Sequence, residues 1–189
     1  MIRKLMMITI VFLSVPVAAQ ANELAISFND DTAELAFRAQ LADYDRGRSV
    51  LSIRGLYNDK KETDLASAAF DVLGPIANTG LEMGAGVRAY YVNTGVNNDE
   101  LAAGGLGAVI RYVLPTTLRI SFLGMVSYCP EVLTAMDGEN LLENHVRASI
   151  EIAPRATAFV SYTNIEADFE DKGERTIDDS FRVGLTLGF

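Results

Sequence analysis

The sequence has a single cysteine, a single histidine and a shortage of basic residues, and each shortage excludes a class of protein. Cys129 has no second cysteine with which to form a disulfide within the chain. A single histidine and a single cysteine are too few to form a His/Cys zinc site. We expect no metal and no cofactor. With 16 Lys and Arg against 25 Asp and Glu, the net charge is −9, so the basic surface that binds nucleic acid is absent.

Long hydrophobic runs are also scarce, and the clearest one lies at the N-terminus. A basic start at residues 1–4 precedes an apolar run at residues 5–15, and Ala19-Gln20-Ala21 has the small-x-small form of a signal-peptidase site. We therefore expect residues 1–21 to be a cleaved signal peptide and residues 22–189 to form one domain; a retained N-terminal anchor is the alternative. No second run is long enough for a helical span, so a membrane form would cross with strands.

What the chain has in abundance is alternation, most clearly at its C-terminus. Apolar residues recur there with a period of two, which indicates a strand with one apolar face, and the last residue is aromatic. Ten such segments follow one another from residue 24 onward. We predict an all-β fold, a closed antiparallel transmembrane β-barrel of about ten strands. The closing strand is also the expected signal for outer-membrane assembly, carried by Phe181, Val183, Leu185, Leu187 and Phe189.

The connections between these segments alternate in length. Polar loops follow the odd-numbered segments, including a charged loop at residues 58–64, the longest loop at residues 129–141 and an acidic loop at residues 166–175. Short turns, such as Ala153-Pro154-Arg155, follow the even-numbered segments. Short turns on one side and long loops on the other are typical of bacterial outer-membrane barrels. An even number of strands places both termini on the short-turn, periplasmic side.

Charged residues collect on the face opposite the apolar one, and we assign them to the lumen. In a narrow barrel they should pair, because an unpaired buried charge is costly. We expect a charge-paired, mostly closed lumen, and the alternative is a narrow channel that prefers small anions. The predicted lumen charges are Glu34, Arg38, Arg54, Asp71, Glu82, Arg88, Arg111, Arg119, Glu143, Arg147, Glu151 and Arg182.

Alternation alone does not decide which face points outward, since a soluble periplasmic barrel would place its apolar face inside. The asymmetry of the connections favours the membrane form. So do aromatic residues at the ends of the apolar face, which suit two interfacial girdles. Turning the lumen arginines toward lipid would cost about 2–4 kcal/mol each near the midplane. The predicted girdle residues are Tyr57, Tyr91, Tyr112, Tyr128, Tyr162 and Phe189.

Residues 128–134, Tyr-Cys-Pro-Glu-Val-Leu-Thr, resemble the YfaZ family of bacterial outer-membrane β-barrel proteins, which has Tyr-Ser-Pro-acidic-x-Leu-Ser at the entry to a long loop. The glycine-rich residues 104–107, the turn at 152–154, Tyr162, the acidic loop and Phe189 are similar to that family as well. Cys129 stands where the family has serine, and Phe159 stands where a polar residue is expected. The resemblance implies an outer-membrane barrel and carries over no catalytic residue.

Catalysis has one weak candidate in the sequence. His145, flanked on its face by Glu143 and Arg147, has the residue type needed to activate a serine such as Ser127 or Ser149. An outer-membrane lipid-modifying hydrolase is therefore an alternative function, although no nucleophile is fixed within reach. We expect no enzyme and no catalytic residue. The expected partners are outer-membrane lipids, lipopolysaccharide and the barrel-assembly machinery acting on the C-terminal strand, and we expect a monomer.

Overall fold

The computed structural model of the 189-residue chain describes residues 21–44, 47–77, 79–95, 99–170 and 173–189. The predicted signal peptide, apart from Ala21, lies outside the described residues. No helix in these ranges is long and apolar enough to cross a membrane.

Within the described ranges, eleven strands form a single sheet, and ten of them are long. A 3-10 helical turn at Glu131–Leu133 and the short strand β8 interrupt the path from β7 to β9. The strands are β1 Ala21–Phe28, β2 Thr32–Tyr44, β3 Gly47–Asn58, β4 Thr63–Ile76, β5 Leu81–Thr94, β6 Asp99–Val113, β7 Ile120–Cys129, β8 Thr134–Met136, β9 Gly138–Ala153, β10 Ala156–Phe169 and β11 Gly173–Gly188.

The sheet closes on itself as the predicted antiparallel barrel. Each long strand pairs with its neighbours in the chain, and β1 pairs with β11 from Glu23 opposite Gly188 to Phe28 opposite Val183. The ring is β1-β2-β3-β4-β5-β6-β7-β9-β10-β11, and β8 adds to the end of β6 above β7. Closure leaves the ten long strands without an unpaired edge, which is what a barrel needs in lipid.

The outer wall is apolar, as the alternation predicts. Large apolar side chains that would be buried in a soluble barrel are exposed here on nearly every strand. The outward-facing residues of β11 are a representative set. Burying such a band in lipid removes it from water and fixes the register, because a slip by one residue would exchange the two faces. Exposed examples are Ile26, Phe28, Val87, Leu106, Phe122, Val146, Val160, Phe181, Val183, Leu185, Leu187 and Phe189.

The loops predicted at residues 129–141 and 166–175 are wrong, because most of these residues continue the sheet. β10 extends to Phe169 and β11 begins at Gly173, with these two residues paired. The predicted loop at 129–141 is folded into the 3-10 turn, β8 and the start of β9. The connections at the two ends of the barrel are therefore both short, and the asymmetry lies in how far the strands extend.

These extensions were misread because the polarity of the two faces inverts along the strand. On β10 the inward residues change from Ser161 and Thr163 to the buried Ile165, Ala167 and Phe169. The outward residues change in the opposite sense, from apolar to polar, after Tyr162. Beyond that point the outer wall faces water, so the barrel there has the polarity of a soluble one. A strand whose outer face is polar has the sequence pattern of a polar loop, which is why the sequence predicts a loop here.

Candidate functional site

The lumen is the candidate site, and its upper part is filled by apolar side chains; this part lies near the connections β1–β2, β3–β4, β5–β6, β7–β9 and β10–β11. We call this set the apolar plug. Leu101 and Leu141 have no exposed surface, and Gly138 leaves the space that the Leu101 side chain occupies. Such burial leaves no continuous opening through this layer in the part of the chain described. The plug consists of Leu56, Leu65, Val92, Leu101, Ala103, Cys129, Leu141, Ile165, Ala167, Phe169 and Ile177, packed against Tyr90.

Backbone hydrogen bonds tie the connections above the plug to one another. Each joins an amide of one connection to a carbonyl of the next one around the barrel. Neighbouring connections therefore support each other and hold the plug in place. The bonds run from Asp59 to Asp31 (2.8 Å), from Gly95 to Glu62 (2.6 Å), from Asp137 to Glu100 (3.0 Å) and from Glu170 to Asp137 (2.8 Å).

A network of buried charges lies directly below the plug, and Glu143 on β9 is its first centre. Arg54 donates to both oxygens of Glu143, at 2.6 and 3.0 Å, in the bidentate geometry that favours Arg–carboxylate pairs. The hydroxyl of Tyr90 donates to Glu143 at 2.7 Å. These contacts join β3, β5 and β9 across the lumen.

Arg182 on β11 is the second centre of this network and is completely buried. Its guanidinium binds Asp178 and donates to Glu34 at 3.1 Å and to Thr163 at 2.7 Å. Glu34 also lies 3.9 Å from Arg54, which links the two centres. We call Glu34, Arg54, Tyr90, Glu143, Asp178 and Arg182 the charge network. It has two guanidinium groups against three carboxylates, a net charge of −1.

Below the network the lumen widens into a cavity of about 210 Å³, with a second cavity of about 110 Å³ between it and the network. This end carries the short turns and both termini of the barrel. The wall has hydroxyl groups from several strands, including Ser52, Ser149 and Thr186. Apart from the charge network, the charged residues that line the two cavities, together with the carboxylate shared by two of them, form what we call the arginine cup. They are Arg38, Arg48, Arg88, Arg111 and Arg147 with Glu23, Asp71 and Glu82, and the balance is five against three, a net charge of +2.

Most of the cup arginines have a carboxylate partner. Arg48 and Arg111 share the single carboxylate of Glu82, at 2.8 and 3.1 Å. Arg88 pairs with Asp71 at 2.9 Å, and Gly107 on the neighbouring strand leaves room for its side chain. Arg38 is 3.7 Å from Glu23, a carboxylate exposed at the rim.

Arg147 differs from the others because its partner is an aromatic ring. Its guanidinium carbon lies 3.6 Å from the centre of the Phe159 ring, a cation–π contact. Arg147 is only 7% exposed, its Nε atom has no hydrogen-bond partner, and no carboxylate of the described ranges lies within salt-bridge distance. Phe159 points inward between Ala25 and Ala36, and Gly184 leaves space for its ring. Phe159, an apolar residue on the otherwise polar inward face, thus packs against the guanidinium of Arg147.

Two of the twelve predicted lumen charges do not lie in the lumen. Arg119 belongs to the turn before β7, with a φ of 43° and a side chain 73% exposed, and it pairs with Glu151 at 3.1 Å. The sequence places both on the inward face, but β7 begins only at Ile120. Arg119 and Glu151 therefore form a solvated pair at the turn-end rim, and the other ten charges point inward.

Several charged residues of the lumen were missed in the sequence. Arg48 follows the tight turn after β2 and has the same parity as Arg54, so the alternation alone was a usable signal. Asp178 lies between the predicted acidic loop and the alternation at the C-terminus, so the sequence predicted no face for it. A register shift between β10 and β11 near Ile165 allows Ile177 and Asp178 both to be buried, which alternation does not predict.

His145 contacts a threonine rather than a serine. Its Nδ1 lies 2.8 Å from the hydroxyl of Thr163, and its Nε2 has no hydrogen-bond partner within the described ranges. Ser127 pairs in register with Glu143, and Ser149 pairs with Phe159. The ring is buried inside the barrel wall. Cys129, predicted to begin the longest loop, instead ends β7 and is buried in the plug, where Gly105 leaves it space.

The predicted girdle residues lie on the outer wall. Tyr57 donates to Asp59 at 2.8 Å and Tyr162 donates to Asp179 at 2.7 Å, so each ring faces the apolar band while its hydroxyl meets a carboxylate. The ring of Tyr162 also packs on Phe181, with centres 4.7 Å apart. The others are exposed: Tyr91, Tyr112, Tyr128 and Phe189.

Comparisons with known proteins give one family and several distant structures. The KdgM porin is 12% identical, with 89% of this chain and 99% of that chain covered and a TM-score of 0.43. Omp33 of Acinetobacter baumannii is 12% identical, with 89% and 95% covered and a TM-score of 0.33. No curated protein matches the chain. The family described as "YfaZ precursor" matches residues 2–189. The chain therefore belongs to the YfaZ family and is a β-barrel of the bacterial outer membrane.

Proposed function

We propose that this protein is an outer-membrane barrel with a structural or interaction role and a lumen that does not conduct. The observation that carries the proposal is the apolar plug, whose large side chains are almost completely buried. A hydrated ion or polar solute entering this layer would lose its water without gaining hydrogen bonds, which is strongly unfavourable. The charge network below it is paired, which supports a fixed rather than a mobile lining.

A narrow channel for small anions is the second candidate, and the arginine cup favours it. The cup has a net charge of +2 and a cavity of about 210 Å³, so an anion has space and attraction at this end. Conduction would require the plug to open. This candidate predicts steady conductance steps that change when Arg111 is neutralised.

The test of the closed barrel is recording in planar lipid bilayers. The wild type should give no steady conductance. The variant Leu56→Ser/Leu101→Ser/Leu141→Ser shortens three buried plug side chains and should give conductance steps, because the space left by them is lined by hydroxyl groups that can hold water. The matched control, Leu106→Ser/Leu185→Ser/Leu187→Ser, changes three outward leucines in the same way and should stay silent. Steady conductance of the wild type would overturn the proposal.

An enzymatic role has less support. The buried His145 is hydrogen-bonded to Thr163 rather than to a serine, and the barrel wall separates it from lipid. We propose that the protein is not a lipid-modifying hydrolase. Overexpression should then leave lipid A and phospholipid profiles unchanged, whereas a changed profile that reverts with His145→Ala would establish the enzyme.

The exposed apolar face of β11 supports insertion through the barrel-assembly machinery. This proposal also includes removal of residues 1–21, contact with lipopolysaccharide, and a monomeric state. Deleting Phe189 should impair assembly more than deleting Glu170 at the opposite end of the barrel, measured as the heat-modifiable fraction in outer membranes. Equal assembly of the two variants would contradict the proposed signal.

A further inference from the structure

We propose that the arginine cup is a binding site for small oxyanions, of the phosphate or carboxylate class, that enter from the turn end of the barrel. The proposal goes beyond the closed barrel, since binding in the cup requires neither an open nor a closed plug. Arginine suits this ligand class because its planar guanidinium donates two parallel hydrogen bonds to a carboxylate or phosphate.

The first argument is that Arg147 has a charge without a matching carboxylate. It lines the cavity, it is 7% exposed, and its contact in the described ranges is the Phe159 ring. A buried guanidinium without a carboxylate partner is costly unless another anion accepts its hydrogen bonds. The ring holds the guanidinium in place without neutralising it, so the position for an anion is prepared in advance.

The second argument is that carboxylates are shared in the rest of the cup. Glu82 serves both Arg48 and Arg111, so neither guanidinium is fully neutralised. Including Arg147, the cup has five guanidinium groups against three carboxylates. This local excess is opposite in sign to the net charge of the whole chain, −9. Low-dielectric walls strengthen such a field.

The third argument is access. Exposure rises from 7% at Arg147 through 33% for the side chain of Arg111 to 52% for that of Glu23. The cup is therefore open to solvent at the turn end. The charge network and the plug close it at the other end. Hydroxyl groups of Ser52, Ser149 and Thr186 line the same cavity and can donate to an oxyanion.

The experiment is calorimetric titration of the folded, full-length barrel in an uncharged detergent at low salt. The probes are inorganic phosphate and citrate, each compared with chloride at equal ionic strength. Saturable binding of phosphate or citrate is expected. Arg147→Gln should weaken it about tenfold or more, because a hydrogen bond to a charged group is lost. Glu82→Gln should strengthen it, because two arginines then lack their carboxylate.

Two further variants keep the result interpretable. Arg119→Gln removes an arginine at the same end of the barrel but outside the cup, and it should leave the affinity unchanged. If Arg147→Gln fails to fold, as judged by heat-modifiability, Arg38→Gln replaces it and should also weaken binding. Absence of binding above the chloride control, or an equal loss for Arg119→Gln and the cup variant, would overturn the proposal. Neither outcome depends on conductance, so this test and that of the closed barrel can fail separately.

Discussion

The two ends of the lumen are lined by side chains of opposite character, apolar at one end and charged at the other, although the same strands form both. The plug end is filled by apolar side chains over the charge network, in which every carboxylate has an arginine partner. The turn end has an arginine excess around a cavity of about 210 Å³. Because the plug excludes water, plug and network residues should dominate stability, while Arg48, Glu82 and Arg111 of the cup are partly solvated and should affect it little. The residues expected to determine stability and the residues expected to bind a ligand therefore lie at different heights along the barrel axis.

The largest expected effect is that of Arg182→Ala, in the charge network. Removing this guanidinium leaves Asp178 and Glu34 without their main cationic partner in a dry environment. The free energy of unfolding should fall by about 3–5 kcal/mol. Urea unfolding followed by loss of heat-modifiability measures it, with the solvated Arg119→Ala as control at about 0–1 kcal/mol. Equal losses for the two arginines would remove the contrast between lumen and rim.

The next effect compares two leucines of the same strand. Leu101 has no exposed surface, whereas Leu106 is 70% exposed on the outer wall. Leu101→Ala should destabilise by about 2–5 kcal/mol, because it creates a cavity in the plug. Leu106→Ala leaves no cavity and should cost clearly less in the same unfolding assay. A smaller loss for Leu101 than for Leu106 would contradict a tightly packed plug.

The smallest effect is expected in the cup. Arg48→Gln leaves Glu82 paired with Arg111, and both Arg48 and Glu82 are partly solvated. The free energy of unfolding should change by about 0–1 kcal/mol. If this variant is as unstable as Arg182→Ala, the two ends of the lumen do not differ in the way proposed.

The sequence predicted the barrel well because a period of two over many segments has few other structural solutions. It also separated inward from outward side chains for ten of the twelve predicted lumen charges. It failed for Arg119, which precedes β7 instead of lying on it, and for Glu151, which pairs with Arg119 at the rim. It failed again for the strand extensions, where the outer wall leaves lipid and the polarity inverts after Tyr162.

The sequence by itself therefore determined the closed antiparallel barrel, its apolar outer wall and its charged interior, because alternation is a local property of the chain. Only the tertiary structure decided which charges meet. Glu143 lies 89 residues from Arg54 in the chain, and Arg182 lies 148 residues from Glu34. Their pairing depends on strand order, register and tilt. The same closure brings apolar residues from distant strands into the plug and leaves Arg147 facing the cup without a carboxylate.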